Sequence, residues 1–497
     1  MTDGDAGVTL ASTTGGRPAR RERTFFGQPW QLVHIFGVET WERFSFFGMQ
    51  AILLYYMYYS ATQGGLGIPQ STAAGIMGAY AGSVYLSTIL AAWISDRVLG
   101  AERTLFYSAI VVMLGHVALA ILPGASGLIV GLVLIALGSG GVKSNASAIL
   151  GKLYTPEDTR RDAGFSLYYL GVNIGAFLGP LLTGWLQSTW GFHIGFAAAA
   201  VGMALGLIQY AVGRRQLPAI ARVVPNPVGT ARLVLYTALV AVASAIVLVL
   251  LLEGVVSLDF LPELITIIGA IAALVLFIVI LTNRSVDRQE RRLVWAFVPL
   301  FLVNVGFWSI YLLTFTIAAE YGSDRTDLDV FGWQMPAAWI QSINPVIILL
   351  FSGVFAALWT KLGARQPSTL MKWVLGIFAV GIGYLLLLPW TGTGAHGTPV
   401  WAIALVIFAW TMGELLFSPT GLSLTTKLSP RAYTSQMFAL YFLSLSIGGS
   451  VGGVLAQQYD EKAEFPYFLA LAVGAFVLGV VMWVIVKPVQ KFMGGVR

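Results

Sequence analysis

Cysteine is absent from the chain, which excludes disulfide frameworks, thiolate metal sites and cysteine nucleophiles. Histidine is nearly absent: His34, His116, His193 and His396 are scattered without a spacing that suits a metal. Charge is scarce. Asp, Glu, Lys and Arg together make up 10% of the residues, against about 25% in a soluble domain. A phosphate-cradling GxxxxGK[ST] loop is missing, which removes ATP-driven pumps. A cleavable leader is not expected either, because residues 1–24 are polar and carry Arg17, Arg20, Arg21 and Arg23. What is present is apolar: 57% of the 497 residues are hydrophobic, and the mean hydropathy is +0.78. A soluble enzyme, a disordered chain and a nucleic-acid binder are all excluded on these grounds.

Fourteen apolar stretches are long enough to cross a bilayer, which takes about 20 residues each. They are 31–59, 73–95, 104–122, 127–150, 164–188, 193–212, 231–253, 261–282, 293–319, 335–360, 370–390, 399–426, 434–457 and 466–486. None alternates like a strand, so helices rather than a barrel satisfy the backbone. Starting in the cytoplasm and alternating puts 25 of the 29 Lys and Arg residues on the cytoplasmic side. The opposite loops keep only Arg325 and Lys462 and are acidic, with Asp324, Asp327, Asp329, Asp460, Glu461 and Glu464. This bias predicts both termini in the cytoplasm and a place in the cell membrane, with the lipid bilayer as partner. The two remaining cations, Arg43 and Lys143, fall inside spans, as do Glu39, Glu42 and Glu414. A charge at mid-bilayer costs at least ~2.5 kcal/mol on insertion scales. Five such groups require a polar cavity and mutual pairing.

A many-span chain with buried charges suits a secondary transporter, a channel or a membrane enzyme. An enzyme would need a metal or nucleophile constellation, and none is visible. The arrangement favours a transporter: six spans, a basic loop, two extra spans, a second basic loop and six more spans. Two six-span halves are the plan of major-facilitator transporters. The predicted fold is therefore an all-α membrane protein of that class, with two accessory helices between two six-helix bundles. Its parts are a tail at 1–30, an N-terminal bundle at 31–213, a linker with the accessory helices at 214–291, a C-terminal bundle at 292–487 and a tail at 488–497. Leu99-Gly100-Ala101 and Leu362-Gly363-Ala364, each after the second span of a half, form a weak internal echo.

The first span carries Glu39-Thr40-Trp41-Glu42-Arg43-Phe44-Ser45-Phe46-Phe47-Gly48. Glu39, Glu42 and Arg43 stand at i, i+3 and i+4 and share one helical face. This stretch resembles the ExxERFxYYG signature of the proton-dependent oligopeptide transporter family. The resemblance continues at Val84-Tyr85-Leu86 with Asp96-Arg97, and at Gly140-Gly141-Val142-Lys143-Ser144-Asn145. It extends to Phe165 through Gly175, to Phe307-Trp308, to Gln341 through Pro345, and to Gly413 through Ser423. Both halves are covered, and the two extra spans are similar to the bacterial branch of the family.

The resemblance implies a set of roles. Glu39, Glu42 and Arg43 couple to protons, the coupling ion, and no other cofactor is expected. Arg43 and Lys143 bind the peptide carboxylate, for which Arg offers a fork and Lys a point charge. Glu414 receives the substrate ammonium, or pairs with Lys143 when the site is empty. Ser418 lies one turn further on, next to Pro419, a bend point. Asn173 and Asn344 hold the amino end, while Phe47, Tyr85, Trp308, Tyr441 and Phe442 line side-chain pockets. Asp96 and Arg97 form a gating latch between spans, and Lys143 with Glu414 gates the site. Structural alternatives stand beside each role: ion pairs that serve only assembly, interhelical hydrogen bonds at the asparagines, and simple packing for the aromatics. Gly171, Gly175 and Gly179 form a small-residue ridge for close helix contact.

Three departures stand out. Phe47 lacks the hydroxyl that the family commonly has there. Leu312 replaces an acid, and Gln50 replaces the arginine that pairs with it. Losing both partners of a buried ion pair is nearly neutral, whereas losing one strands a charge. The expected activity is proton-coupled import of di- and tripeptides by a monomer, through alternating access. A carrier of another small organic substrate such as a drug-like molecule, nitrate or an amino-acid derivative is the alternative, with a channel or a non-transporting sensor behind it.

Overall fold

Apolar runs that must satisfy their own backbone give a bundle made almost entirely of helices. The computed structural model describes residues 23–155, 158, 160–225, 227–229 and 257–493. Among these lie thirteen α-helices. The N-terminal half comprises α1 (Leu32–Tyr58), α2 (Gln70–Ile94), α3 (Ala101–Ile121), α4 (Gly124–Gly151), α5 (Arg161–Trp190) and α6 (Phe192–Gly213). One helix of the linker follows, α7 (Leu261–Thr282). The C-terminal half comprises α8 (Arg288–Asp324), α9 (Ile343–Leu362), α10 (Thr369–Leu387), α11 (Val400–Leu428), α12 (Thr434–Ala456) and α13 (Glu464–Phe492). Three short two-residue strand pairings are the only sheet among the described residues.

Twelve of the described helices are long and apolar enough to cross a membrane. The charges and tyrosines of α1 keep it outside that set, although its 27 residues match the others in length. The stretch 231–253 lies outside the described residues, so a count of fourteen spans is not established. Two boundaries move. The C-terminal bundle begins at Arg288 rather than 292, because Asp287 caps α8 by accepting from the Glu290 backbone N–H at 2.7 Å while Glu290 reaches back. It ends at Phe492 rather than 487, with α13 continuing through Pro488.

The predicted glycine ridge sets the closest helix contact in the N-terminal half. A Cβ on Gly175 would stand 2.2 Å from the Thr40 carbonyl oxygen, and one on Gly179 2.4 Å from that of Phe44. Only hydrogen fits there, so α5 lies directly on the face of α1 behind the charged motif.

Contacts between the halves gather from the middle of the bundle to the end away from the basic loops, here called the acidic end. Ser446 Oγ donates to the Gly82 carbonyl at 2.8 Å. Ser342 Oγ donates to Phe177 and Trp339 Nε1 to Leu181, both at 2.9 Å. Tyr55 donates to the Ala319 carbonyl at 3.0 Å, and Tyr58 and Gln70 both donate to Asp324. Helix α7 packs against both α2 and α12. Just before it, Asp259 accepts from Thr72 at 2.5 Å, and its carbonyl accepts from Gln457 at 2.8 Å. This segment therefore ties α2 to α12 at the acidic end.

Candidate functional site

The charged face of α1 turns inward. Glu39, Glu42 and Arg43 are 2%, 0% and 5% exposed. Arg43 Nε donates to Glu39 Oε1 at 3.0 Å, and Glu42 Oε2 stands 2.9 Å from the same nitrogen without hydrogen-bond geometry. Several polar atoms around this pair have no hydrogen-bond partner: Glu39 Oε2, Arg43 Nη2, Tyr80 Oη and Ser139 Oγ. A buried guanidinium with an unused nitrogen is an incomplete site, because an unmade charge-assisted hydrogen bond is costly.

Lys143 on α4 faces the same space. Its Nζ lies 4.2 Å from the centroid of the Tyr85 ring, a cation–π contact. It acts electrostatically on Glu42 on one side and on Glu414 on the other. No ion pair closes between Lys143 and Glu414, so the predicted gating pair is open in this conformation. Across the interface, Glu414 on α11 accepts from the Tyr311 hydroxyl, with Asn344 Nδ2 at 3.3 Å. Asn344 also donates to Thr411 Oγ1 at 2.9 Å. The carboxylate is thus held by three helices, α8, α9 and α11. Ser418 is half-buried one turn beyond it.

Other predicted residues fall into two groups. Phe47 is half-buried and packs edge-on against Phe46. Tyr441 is buried and packs on Phe442, its ring crossing the face of α11 at Gly421. Asn173 is buried, and its Nδ2 donates to the Tyr169 carbonyl of its own helix at 2.9 Å. Trp308 departs from the pocket-lining expectation. It is 4% exposed, its indole donates to Asn304 at 3.1 Å, and its Cβ presses on Gly448 of α12. Its indole donor is therefore spent within its own helix. Asp96 and Arg97 stand in a π-helical turn at Ser95–Leu99 and form no ion pair among the described residues. A buried carboxylate at this end, Glu102, pairs with Arg214 at 2.5 and 3.0 Å, with Arg222 at 3.6 Å. Leu312 packs against Gly449, and Gln50 is half-buried.

Sequence reasoning missed Tyr311 as a partner of Glu414. Its signal was faint, a lone hydroxyl in an apolar span, and its place beside Glu414 depends on how α8 meets α11. The ring stacks on Phe307, which stacks on Phe417 at 3.7 Å between centroids. This aromatic column fixes the Tyr311 hydroxyl at the carboxylate.

The chain is similar to proteins of one kind throughout. The POT family model (PTR2) matches residues 102–470. A di-/tripeptide transporter of Lactococcus lactis subsp. lactis (strain IL1403) is 40% identical over 494 residues, covering 96% of this chain and 99% of the relative. A solved structure of the peptide transporter POT in complex with alafosfalin superposes with a TM-score of 0.89 at 40% identity, covering 95% of this chain and 98% of that one. A POT family transporter in complex with 5-aminolevulinic acid gives 0.89 at 35% identity, covering 95% and 99%. The architecture is accordingly the major-facilitator fold of a multi-pass membrane transporter rather than of an enzyme. With coverage of both halves and most of the length, the chain belongs to the POT family.

Proposed function

We propose that this protein imports di- and tripeptides together with protons by alternating access. One observation carries the reading: Arg43 with its unused Nη2 and Lys143 lie in one half, and Glu414 with Asn344 faces them from the other. A short zwitterion offers the matching signs, a carboxylate for the cations and an ammonium for Glu414. The relative named a di-/tripeptide transporter and the solved relatives bound to alafosfalin and 5-aminolevulinic acid support the same chemistry.

Glu39, Glu42 and Glu414 against Arg43 and Lys143 leave one net negative charge when all are ionised. A proton on the Glu39–Glu42 pair neutralises the chamber and loosens its hold on Arg43, which then takes the peptide carboxylate. The positive-inside bias assigns the basic end and both termini to the cytoplasm of a cell-membrane protein. The acidic end is then the outer end, closed here by the hydrogen bonds between the halves. With the inside negative, each net positive charge moved inward gains ~2.3 kcal/mol per 100 mV. The unit is a monomer, since each chain supplies both halves of the chamber.

The test is uptake of a labelled dipeptide into proteoliposomes. An inside-alkaline pH gradient is expected to drive accumulation, and collapsing it with a protonophore to abolish that accumulation. Uptake that accumulates equally without a gradient contradicts proton coupling.

A further inference from the structure

At the acidic end, α8 continues past the midplane and buries a carboxyl that the chamber does not use. Glu320 is 1% exposed, and its Oε2 has no hydrogen-bond partner. It lines a cavity of about 250 Å³ at the seam between the halves, together with Gln70 of α2, Tyr459 and Glu461. One turn along the same face, Asp324 accepts from Tyr58 and Gln70 of the N-terminal half at 3.3 and 3.4 Å. The residue before Glu320, Ala319, accepts from Tyr55 of α1. Glu320 therefore sits inside the set of hydrogen bonds that closes this end.

The groups that face it are mostly acidic or neutral, and none forms an ion pair with it. Tyr55 comes from α1, Tyr459 and Glu461 from the segment after α12, Tyr467 from α13 and Asp324 from its own helix. Gln70 and Ser71 of α2 are neutral, and Asp460 lines the same cavity. Lys462 also lines it but is exposed and makes no ion pair with Glu320. The buried cation at the end of the same helix, Arg325, is taken by Glu464 at 2.8 Å.

We propose that Glu320 is a proton-binding site of the outer gate, taking up a proton from the external solution as the halves close at the acidic end. Closing without that proton strands an unpaired carboxylate beside two further acids. Closing with it leaves a neutral carboxyl, and Asp324 keeps its two donors from the other half. When the outer end opens, the carboxyl becomes fully hydrated and the proton is released or exchanged there. The site makes outer closure depend on external acidity, separately from the exchange at Glu39 and Glu42. The inference rests on the proton coupling proposed above and on the assignment of the acidic end to the outside.

The absence of cysteine permits a clean test. Spin labels at Ala61→Cys and Ala395→Cys, both exposed at the acidic end and in different halves, report closure by distance without peptide. In the otherwise natural protein, acidification is expected to shift the population towards the short distance, by up to about tenfold per pH unit for one proton. E320Q, which mimics the protonated carboxyl, is expected to hold the short distance at every pH. E320D keeps a carboxyl and is expected to keep a pH response with a moved midpoint, which controls for damage to the fold. A pH response in E320Q equal to that of the natural residue overturns the proposal, as does a natural protein with no response. An equal shift produced by sodium at constant pH also overturns it, since the ligand is then a metal cation. If peptide symport itself is the mistaken part, gradient-insensitive uptake reveals that while the distance response survives.

Discussion

Replacing Arg43 with lysine lowers dipeptide counterflow by about 100-fold or more while the protein remains folded and monodisperse. The guanidinium nitrogen Nε meets Glu39 at 3.0 Å and Glu42 at 2.9 Å, and Nη2 is left for a ligand. A lysine ammonium keeps the charge but not the planar fork. It can satisfy the two carboxylates or turn to the peptide, but not both. Breaking one arm of a buried, hydrogen-bonded charge set costs about 3–5 kcal/mol, and each ~1.4 kcal/mol is a factor of ten. Arg43→Ala goes further and leaves two buried carboxylates facing each other, so poor accumulation of that variant is expected. Counterflow by Arg43→Lys within a few-fold of the natural protein contradicts the assignment of the carboxylate end to this residue.

Changing Glu414 to glutamine separates the two ends of the substrate. The amide keeps the size of the side chain and an acceptor for Tyr311, while the charge is lost. Truncating one side of a buried charge pair at an interface costs about 2–5 kcal/mol. Peptides with a free amino terminus are therefore expected to bind at least about 30-fold more weakly to Glu414→Gln. N-acetylated peptides have no ammonium to lose and are expected to bind both forms alike. Equal weakening of the two ligands in a competition assay assigns Glu414 to the fold rather than to the amino end.

The charged motif of the first span was legible because its residues are local. Glu39, Glu42 and Arg43 share a face by helical period alone, and they meet in the structure. The glycine ridge at Gly171, Gly175 and Gly179 was legible for the same reason, since a stripe without side chains must face a neighbour. Long-range geometry was not. Tyr311 reaches Glu414 only because the Phe307–Phe417 stack sets the rotation of α8 against α11. Trp308 spends its indole donor on Asn304, one turn back in the same helix, an outcome that residue identity does not reveal.

Helix ends were the other blind spot. The span drawn at 293–319 stops one residue short of Glu320, while α8 runs on to Asp324. Glu320 therefore passed unremarked. Arg325 and Glu464 read as loop charges for the same reason, yet both are buried and paired at 2.8 Å. At the basic end the expected Asp96–Arg97 latch has no ion pair among the described residues, while Glu102 pairs with Arg214. Charge bias sorts these residues between two ends of the bundle; only packing decides which of them find partners.

The central claim is that one chamber grips a short zwitterion by both ends, Arg43 and Lys143 at the carboxylate and Glu414 at the ammonium. The most direct measurement is counterflow of labelled dialanine in proteoliposomes, competed in parallel by dialanine, its N-acetyl form, its C-terminal amide and the doubly blocked peptide. The account predicts strong competition by the unmodified peptide, weakened competition by each singly blocked form and none by the doubly blocked one. Competition by the doubly blocked peptide as strong as that by dialanine contradicts it.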